Sequence, residues 1–282
     1  MSTKMTNQKV AIVTGSSSGI GYETALVLAR NGFRTYATMR NLEKAKAISD
    51  VAKSEKLALH TIKLDVTDEK SVIDAIKNIK SDAGRIDVLV NNAGYGLAGS
   101  LEDLVMSEIK AQCETNVFGL IRVTQAVLPT MREQKSGIIV NISSIGGKMA
   151  LPLSSPYIGT KFAVEGLSES IAYDLEPFGI KVVIIEPGAI KTNFDTGMVV
   201  AQKNQNPSSP YYTSMQKFQG SLNSFVKNGT PPTKVAEVIL NAITTPTPNL
   251  RYTVGEDAAL LAQKRKELPD SEFQKLVLEV FK

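Results

Sequence analysis

Short apolar segments alternate with longer amphipathic ones along most of this chain, and this alternation limits the fold more than any other feature. The short segments are rich in Val and Ile, and the longer ones repeat their apolar residues at helical spacing. Strand and helix in alternation predict an α/β fold, with a doubly wound parallel sheet of about seven strands and helices on both faces. The expected strands cover residues 9–15, 33–39, 58–65, 86–94, 137–144, 180–188 and 251–255.

The alternation is interrupted between about residues 190 and 230. This stretch includes "NQNPSSPYYTSMQKF" and is polar and bounded by prolines. We interpret it as an insertion that forms a substrate lid. No linker separates two apolar cores, so the sequence predicts a single domain over residues 1–282.

The composition argues against several classes of function. A single cysteine, Cys113, excludes an intramolecular disulfide, and a single histidine, His60, leaves too few ligands for a Cys/His site, so no metal is expected. The net charge of +4 comes from basic residues interleaved with acidic ones, which argues against nucleic-acid binding. The apolar runs are too short to span a membrane and the N-terminus lacks the apolar core of a signal peptide, so we expect a cytoplasmic protein.

A glycine-rich turn, "TGSSSGIG", joins the first predicted strand to the first helix. Gly15, Gly19 and Gly21 allow the backbone to approach a pyrophosphate closely, and the free N–H groups at the helix start attract its charge. The position of the turn favours a dinucleotide site. The alternative is a tight connection between strand and helix with no ligand.

The end of the second predicted strand indicates which dinucleotide is bound. An acidic residue there binds the ribose hydroxyls of NAD, but this chain has Met39 followed by Arg40. An arginine can pair with the 2′-phosphate of NADP, so NADP is favoured over NAD, unless Arg40 is only a solvated loop charge. After the third strand, Asp65 is a candidate for hydrogen bonding with adenine, or else Asp65 or Asp68 caps the next helix.

Tyr157 and Lys161, in "SPYIGTKFAVEG", lie one turn apart on the same face of a predicted helix. A nearby ammonium lowers the pKa of a phenol from about 10, which brings it closer to acid–base work near neutral pH. Ser144, at the end of the fifth strand, is placed to orient and polarise a substrate oxygen. A Tyr and a Lys at this spacing are uninformative unless other motifs accompany them.

Five motifs occur together in this chain, in the following order: the glycine-rich turn, "NNAG" at 91–94, a strand ending in serine, "YIGTK" at 157–161 and "PG" at 187–188. Together they resemble the short-chain dehydrogenase/reductase family over residues 8–192. The resemblance implies a Rossmann fold with strand order 3-2-1-4-5-6-7. It also implies an NADP-dependent oxidoreductase that transfers a hydride between the nicotinamide and a carbonyl compound or secondary alcohol. "YATMRNLEKA" and "KFAVEGLSESI" are most similar to the branch that contains steroid and retinol dehydrogenases.

The functional residues of that family fall on matching positions of this chain. By this resemblance Tyr157 is the general acid in reduction and the base in oxidation, and Ser144 hydrogen-bonds the carbonyl oxygen. Lys161 binds the nicotinamide ribose and lowers the pKa of the tyrosine, and Asn116, in "ETNVFG", holds a water that relays protons from the lysine. The implied cofactor-binding residues are Thr14, Gly15, Ser17, Gly19, Ile20, Gly21, Arg40, Asp65, Asn92, Ala93, Gly94, Tyr157, Lys161, Pro187, Gly188, Ile190 and Thr192.

Assembly and substrate are less constrained by the sequence. Family members usually pair through the helices that carry Asn116 and Tyr157, so a homodimer or homotetramer is expected. An alternative to an enzyme is a catalytically idle NADP-binding module that senses redox state or scaffolds a partner. Apolar lid residues either line a substrate pocket or pack the lid to the body, namely Phe194, Met198, Tyr211, Tyr212, Met215 and Phe218.

Overall fold

A parallel sheet of seven strands lies at the centre of the structure, a computed structural model that describes residues 8–192 and 198–281. Phe194, one of the candidate lid residues, lies outside the described residues. The strands are β1 (Val10–Val13), β2 (Arg34–Met39), β3 (Leu59–Lys63), β4 (Val88–Asn91), β5 (Leu97–Ala98), β6 (Gly137–Ile142), β7 (Ile180–Pro187), β8 (Val199–Val200) and β9 (Arg251–Val254). The sheet has the order β3-β2-β1-β4-β6-β7-β9. This confirms the predicted order, because the short β5 and β8 pair only with each other.

Helices cover both faces of the sheet. They are α1 (Gly19–Arg30), α2 (Lys46–Ser54), α3 (Glu69–Ala83), α4 (Met106–Cys113), α5 (Gly119–Gln134), α6 (Ser155–Leu175), α7 (Tyr212–Asn228), α8 (Pro232–Thr244), α9 (Glu256–Glu267) and α10 (Asp270–Val280). One turn of π-helix, Glu114–Phe118, joins α4 to α5. Parallel neighbours require crossover connections, and the long helices between the strands supply them.

Alternate residues of β1 point to opposite faces of the sheet. Ala11 and Val13 belong to the core layer that includes α1 and α8, whereas Val10 and Ile12 belong to the layer that includes α3 and α5. All four side chains are at most 1% exposed. Burial of an aliphatic side chain stabilises the fold by about 1.5–3 kcal/mol, so a sheet covered on both faces favours strands that are apolar at every position.

The segment after β7 is docked on the residues that follow β4. Strand β8 pairs with β5. The buried Asn204 side chain accepts a hydrogen bond from Ser100 N at 3.0 Å, and Gln202 N donates to Glu108 Oε1 at 3.1 Å. The polar residues of this segment therefore make specific hydrogen bonds with the body of the protein.

The last two helices pack on α7 and on the residues after β6. The ring of Phe281 has its centre 5.5 Å from that of Phe218 and 5.7 Å from that of Phe225, both on α7. Phe273 of α10 is buried in the same cluster as Met149. The C-terminal helices thus add an apolar layer beside the carboxyl edge of the sheet.

Candidate active site

The candidate residues collect at one edge of the sheet, because its strands run parallel and end there. The glycine-rich turn follows β1, Arg40 follows β2, Asn92 follows β4, Ser144 follows β6 and Gly188 follows β7. The strand order reverses between β1 and β4, since β2 and β3 lie on one side and the later strands on the other. Open α/β sheets bind their ligands in the crevice at such a reversal.

The backbone conformation and the steric crowding of the turn after β1 both require glycine. Gly15 has a φ of +68°, and a Cβ there would lie 2.9 Å from Ala93 Cα. A Cβ at Gly21 would lie 2.4 Å from Asn92 Nδ2. The turn therefore packs directly against the "NNAG" segment. This close packing explains why small residues are needed in both motifs.

Thr14 joins these two segments by hydrogen bonds. Its Oγ1 accepts from the backbone N–H groups of Asn92 and Ala93, each at 3.0 Å. Asn92 Nδ2 donates in return to the Thr14 carbonyl at 2.9 Å. Because Thr14 is only 1% exposed, it holds the glycine-rich turn in shape from the buried side.

The N-terminus of α1 opens onto the same edge. Ser17 and Gly19 are partly exposed, and a Cβ at Gly19 would lie 3.3 Å from Thr192 Cγ2, so the segment after β7 reaches over the turn. Ile20 packs against the core. Among the described residues, the Ser18 side chain makes no capping bond to the helix, so it does not compete with an anion for the N–H groups of the first turn.

Arg40 and Asp65 stand on the side of the edge formed by β2 and β3. Arg40 is exposed. Asp65 Oδ1 accepts hydrogen bonds from Thr67 N at 2.9 Å and from Thr67 Oγ1 at 2.8 Å, whereas Asp68 caps α3. Helix capping therefore belongs to Asp68, and Asp65 stabilises the turn that precedes the helix. The adenine contact of Asp65 stays a prediction.

Tyr157, Lys161 and Ser144 meet just beyond the end of β6. Tyr157 is 8% exposed, and Lys161 Nζ lies 5.7 Å from the centre of its ring. A Cβ on Gly146 would lie 3.4 Å from Ser144 Oγ and 3.6 Å from Tyr157 Cε1, so the serine hydroxyl faces the tyrosine ring across this glycine. Lys161 Nζ donates to the Ile142 carbonyl at 2.9 Å. The structure thus brings together three of the four predicted catalytic residues.

Burial dominates the acid–base properties of this group. It raises the pKa of Tyr157, and hydrogen bonding with Ser144 offsets only part of that rise. Burial also lowers the pKa of Lys161 to about 8, against a smaller upward effect of the Glu165 carboxylate. The spacing of Tyr157 and Lys161 predicted a lowered pKa for the phenol. That direction is wrong in this structure, because desolvation of the phenolate is the largest influence.

Asn116, the fourth predicted catalytic residue, lies on the π-helical turn and is 4% exposed. Its Nδ2 donates to the Tyr95 carbonyl at 2.9 Å and to Thr160 Oγ1 at 3.1 Å, and its Oδ1 accepts from Tyr95 N at 3.1 Å. Both side-chain N–H bonds are therefore used within the protein. The side chain couples the residue after "NNAG" to α6, and its water-holding role stays a prediction.

The turn after β7 is fixed by β9 and α9. Gly188 N donates to the Val254 carbonyl at 2.9 Å, and Ala189 N donates to Asp257 Oδ2 at 2.7 Å. Ile190, which follows, is 7% exposed. Asp257 was not among the predicted site residues, because an acid in the first turn of a helix is a common helix-stabilising feature.

A family model described as short chain dehydrogenase matches residues 9–203, well over half of the chain. The chain belongs to the short-chain dehydrogenase family. It is 36% identical to 3-ketodihydrosphingosine reductase of Bacteroides thetaiotaomicron, over 94% of this chain and 95% of the relative. It is 37% identical to 17-beta-hydroxysteroid dehydrogenase type 1 of Homo sapiens, over 92% of this chain and 81% of the relative.

The solved structures agree with this assignment. The crystal structure of a short-chain dehydrogenase from Streptomyces avermitilis is 36% identical and has a TM-score of 0.80, covering 96% of this chain and 97% of that one. Structures of the same fold contain NADP in one case and NAD in another. This short-chain dehydrogenase is therefore an oxidoreductase that acts on CH–OH or C=O groups, in a family whose members bind NADP or NAD.

The short-chain dehydrogenase also contains a chain of buried polar residues, of which only Asn91, in "NNAG", belongs to a predicted motif. Asn91 Nδ2 donates to Asn141 Oδ1 on the neighbouring strand and to Thr124 Oγ1 on α5, each at 2.9 Å. Asn141 Nδ2 donates to Ser168 Oγ on α6 at 2.8 Å. These bonds tie α5 and α6 to the sheet behind the catalytic residues. The available signal was a single asparagine in each of two otherwise apolar strands.

His60 of the short-chain dehydrogenase lies on β3, away from the catalytic residues. Its ring stacks on Tyr36 with 5.4 Å between the ring centres, and burial lowers its pKa. Within residues 8–192 and 198–281, no group of three or more His, Cys, Asp and Glu side chains is arranged to hold a metal ion. In the same ranges no helix combines the length and apolar character needed to cross a bilayer.

Proposed function

We propose that this short-chain dehydrogenase is an NADP-dependent carbonyl reductase and alcohol dehydrogenase in which Tyr157 is the general acid and base. The observation that carries the proposal is the meeting of the Ser144 hydroxyl, the buried Tyr157 phenol and the Lys161 ammonium at the same edge of the sheet as the glycine-rich turn. A module that only binds a dinucleotide has no need of a phenol held between a hydroxyl and an ammonium.

The carboxyl edge of the sheet fits a nicotinamide dinucleotide. The uncapped first turn of α1 suits a pyrophosphate, and the exposed Gly94 presents backbone without a side chain to the same crevice. We assign cofactor binding to the predicted residues within segments 14–21, 92–94 and 187–192, together with Tyr157 and Lys161. The cofactor, when bound, supplies the hydride.

The side chains of the site supply the proton and stabilise the phenolate that remains after its transfer. The raised pKa of Tyr157 keeps its phenol protonated at neutral pH, the state that donates a proton to a carbonyl oxygen under reduction. Ser144 is placed to donate a second hydrogen bond to that oxygen and to polarise it. Lys161 is positively charged below its pKa of about 8 and stabilises the phenolate that remains. In oxidation, the phenolate of Tyr157 accepts the proton from the alcohol.

The preference for NADP over NAD is proposed from the residues at the end of β2. Arg40 is exposed directly after the strand, where its guanidinium can pair with a 2′-phosphate. Met39 brings no carboxylate that would repel that phosphate. Ser17, partly exposed in the glycine-rich turn, adds a hydroxyl on the same edge, and Asp65 is assigned to the adenine.

We propose an apolar ketone or secondary alcohol as the substrate. A groove of about 520 Å³ opens beside the N-terminus of α6. On its wall, Leu153 lies just before α6 and Ser155 lies in the first turn of that helix, which also carries Tyr157. Two relatives are named for 3-ketodihydrosphingosine and for 17-beta-hydroxysteroids, which are both largely apolar. The groove is lined by Gly99, Ser100, Leu101, Glu102, Leu153, Ser155 and Tyr211.

We propose that residues 190–230 form the lid of a single Rossmann-fold domain. Met215 and Phe218 of α7 are 0% and 1% exposed and cluster with Ala98 of β5, so they pack the lid to the body. Tyr211 lines the groove instead, and its Oη donates to Glu102 Oε2 at 2.9 Å across it. Of the described lid residues, Met215 and Phe218 are thus assigned to packing and Tyr211 to the groove, while Met198 and Tyr212 line a separate cavity beside α7.

We further propose a homodimer or homotetramer that pairs through α6 and the turn before α5. Phe118, Phe162 and Tyr173 are 52%, 48% and 71% exposed, and large exposed aromatic groups on neighbouring helices mark an interface. A Cβ on Gly159 or Gly166 of α6 would meet no described atom within 4 Å, which leaves room for a second helix.

Light scattering should give a dimer or tetramer that Phe162→Asp dissociates, and a monomeric wild-type protein would refute this.

NADPH oxidation across aliphatic, aromatic, steroidal and quinone carbonyls tests the proposed function. Turnover with at least one carbonyl that disappears in Tyr157→Phe supports the reductase and identifies its substrate class. Tight NADPH binding without turnover on any carbonyl favours the catalytically idle NADP-binding module instead. The cytoplasmic location stays a prediction from the sequence.

A further inference from the structure

Two glutamates are buried behind the catalytic residues. Glu165 follows Lys161 by one turn of α6 and is 6% exposed, and Glu186, at the end of β7, is 3% exposed. Carboxylates are rarely buried to this extent unless they are paired or serve a function. Neither residue takes part in the hydride transfer proposed above, so their burial requires another explanation.

Arg251 of β9 connects the two glutamates. Its Nε donates to Glu165 Oε2 at 2.9 Å and lies 3.6 Å from Glu186 Oε1. Its Nη2 donates to Glu169 Oε2, one further turn along α6, at 2.5 Å. The charged groups that face Glu165 are therefore Lys161 and Glu169 on α6, Glu186 on β7, Arg251 on β9, and Lys148 after β6, whose Nζ lies 3.9 Å from Glu186 Oε1.

The hydrogen bonding inside this cluster is incomplete, although Glu186 Oε1 lies within ion-pair distance of Arg251 and Lys148. Glu165 Oε1, Glu186 Oε1 and Ser143 Oγ are buried and make no hydrogen bond with any residue that the structure describes. Gly147 separates two of them, since a Cβ there would lie 2.7 Å from Ser143 Oγ and 2.9 Å from Glu165 Cγ. Replacement of buried ion pairs by apolar residues of similar volume is often neutral or stabilising, so stability alone does not account for these charges. The retained charges therefore point to a function.

The cluster adjoins three catalytic segments at once. Ser143 precedes the catalytic serine, Glu186 precedes the proline of the turn after β7, and Glu165 shares a helix face with Lys161. Burial lowers the pKa of Lys161, and the Glu165 carboxylate opposes this effect. Burial also raises the pKa of Glu186, with a further contribution from the charge of Glu165.

We propose that Glu165, fixed by Arg251, is a positioning residue that maintains the positive charge of Lys161. The inference rests on the proposed function, in which Lys161 stabilises the phenolate of Tyr157. Burial alone drives a lysine toward its neutral form, whereas a carboxylate one turn away favours the charged form. Arg251 holds that carboxylate in one position, so its effect on Lys161 does not depend on a mobile side chain.

Titration of Lys161 in the intact protein tests this role without requiring turnover. The ¹³Cε resonance of Lys161 is identified as the one that disappears in Lys161→Met, and its midpoint is compared in the wild type, Glu165→Gln and Glu165→Asp. Glu169→Gln is the matched control, because it makes the same change on the same helix and also removes a bond to Arg251. We expect the midpoint to fall by about half a pH unit or more in Glu165→Gln, and to stay near the wild-type value in Glu165→Asp and Glu169→Gln.

The same shift is expected in the basic limb of the pH profile of kcat/KM for carbonyl reduction. If Glu165→Gln does not fold, Glu165→Ala replaces it in both measurements. An unchanged midpoint in a folded Glu165 variant that lacks the carboxylate overturns the positioning role. Wild-type turnover in Lys161→Met contradicts the proposed function instead, and it leaves the NMR result intact.

Discussion

Asp257 Oδ2 accepts a hydrogen bond from Ala189 N at 2.7 Å and so ties the first turn of α9 to the turn after β7. The same carboxylate fills the space beside Gly188, where a Cβ would lie 2.3 Å from Asp257 Oδ2. The C-terminal part of the chain therefore shapes one of the segments to which we assign cofactor binding. None of the five sequence motifs includes this residue.

Asp257→Ala should weaken NADPH binding about tenfold, because a charge-assisted hydrogen bond of about 1.5 kcal/mol or more no longer holds the turn. Asp257→Asn keeps an acceptor and should lose less affinity. Fluorescence titration with NADPH measures both variants. Asp270→Ala, at the start of α10, is the control, and equal affinities in Asp257→Ala and Asp270→Ala would argue against a role of Asp257 in the site.

Gly15→Ala and Gly32→Ala distinguish the effect of backbone strain from the effect of a steric clash with the "NNAG" segment. Both glycines have positive φ, +68° and +84°, so each substitution costs stability on the order of 1 kcal/mol. Only the Cβ at position 15 would meet the "NNAG" segment, since at Gly32 no described atom lies within 4 Å. We expect both variants to unfold at lower urea concentration, but only Gly15→Ala to lose NADPH affinity, by about tenfold or more. Equal affinity in the two variants would place the cofactor elsewhere.

Arg40→Ala should reduce kcat/KM for NADPH about tenfold while leaving that for NADH nearly unchanged, because only NADPH carries the 2′-phosphate that the guanidinium pairs with. Both values are measured at one ionic strength, since salt screens this interaction. Lys44→Ala, a nearby exposed cation, controls for the loss of one positive charge. If the ratio of kcat/KM for NADPH to kcat/KM for NADH does not change in Arg40→Ala, the proposed basis of the NADP preference is wrong.

The pKa of Lys161, lowered to about 8 from an ordinary value of 10.5, predicts a pH-dependent stability. Between these two values the unfolded chain binds more protons at this lysine than the folded protein does, so the free energy of unfolding rises with pH over that range. Below pH 8 both states hold the proton, and the buried charge destabilises the fold.

Lys161→Met removes this contribution in the cofactor-free protein. Relative to the wild type, the variant should therefore be more stable at pH 7 than at pH 10, as measured by urea unfolding at both pH values. A stability difference that is the same at both pH values would contradict a lowered pKa for Lys161.

The strands themselves were predictable because a sheet covered on both faces selects continuous apolar segments, which can be recognised in the sequence without knowing which strands pair. Their order followed from the family resemblance instead. The Asn91–Asn141 hydrogen bond was not predictable in the same way. It depends on the register of β4 against β6, which places the two asparagines opposite each other, and sequence alone carries little information about register between distant parallel strands.

The acid–base residues also show that sequence alone says little about contacts between distant segments. Their spacing along α6 correctly placed Tyr157 and Lys161 on one helix face, but it said nothing about burial. Burial results from elements far apart in the chain, and it reverses the expected direction of the pKa of Tyr157. Asp257 was missed for a related reason, since its contact with Ala189 joins residues that are 68 positions apart.

The central claim is that Tyr157 transfers the proton, and kcat together with the NADPH Kd of Tyr157→Phe tests it most directly. Tyr173→Phe is the matched control, because it makes the same change on the same helix at a side chain that is 71% exposed. We predict that Tyr157→Phe loses about 10²–10⁴-fold in kcat with an NADPH Kd within a few-fold of the wild type, while Tyr173→Phe keeps both values. A Tyr157→Phe enzyme that retains most of its kcat would contradict the account.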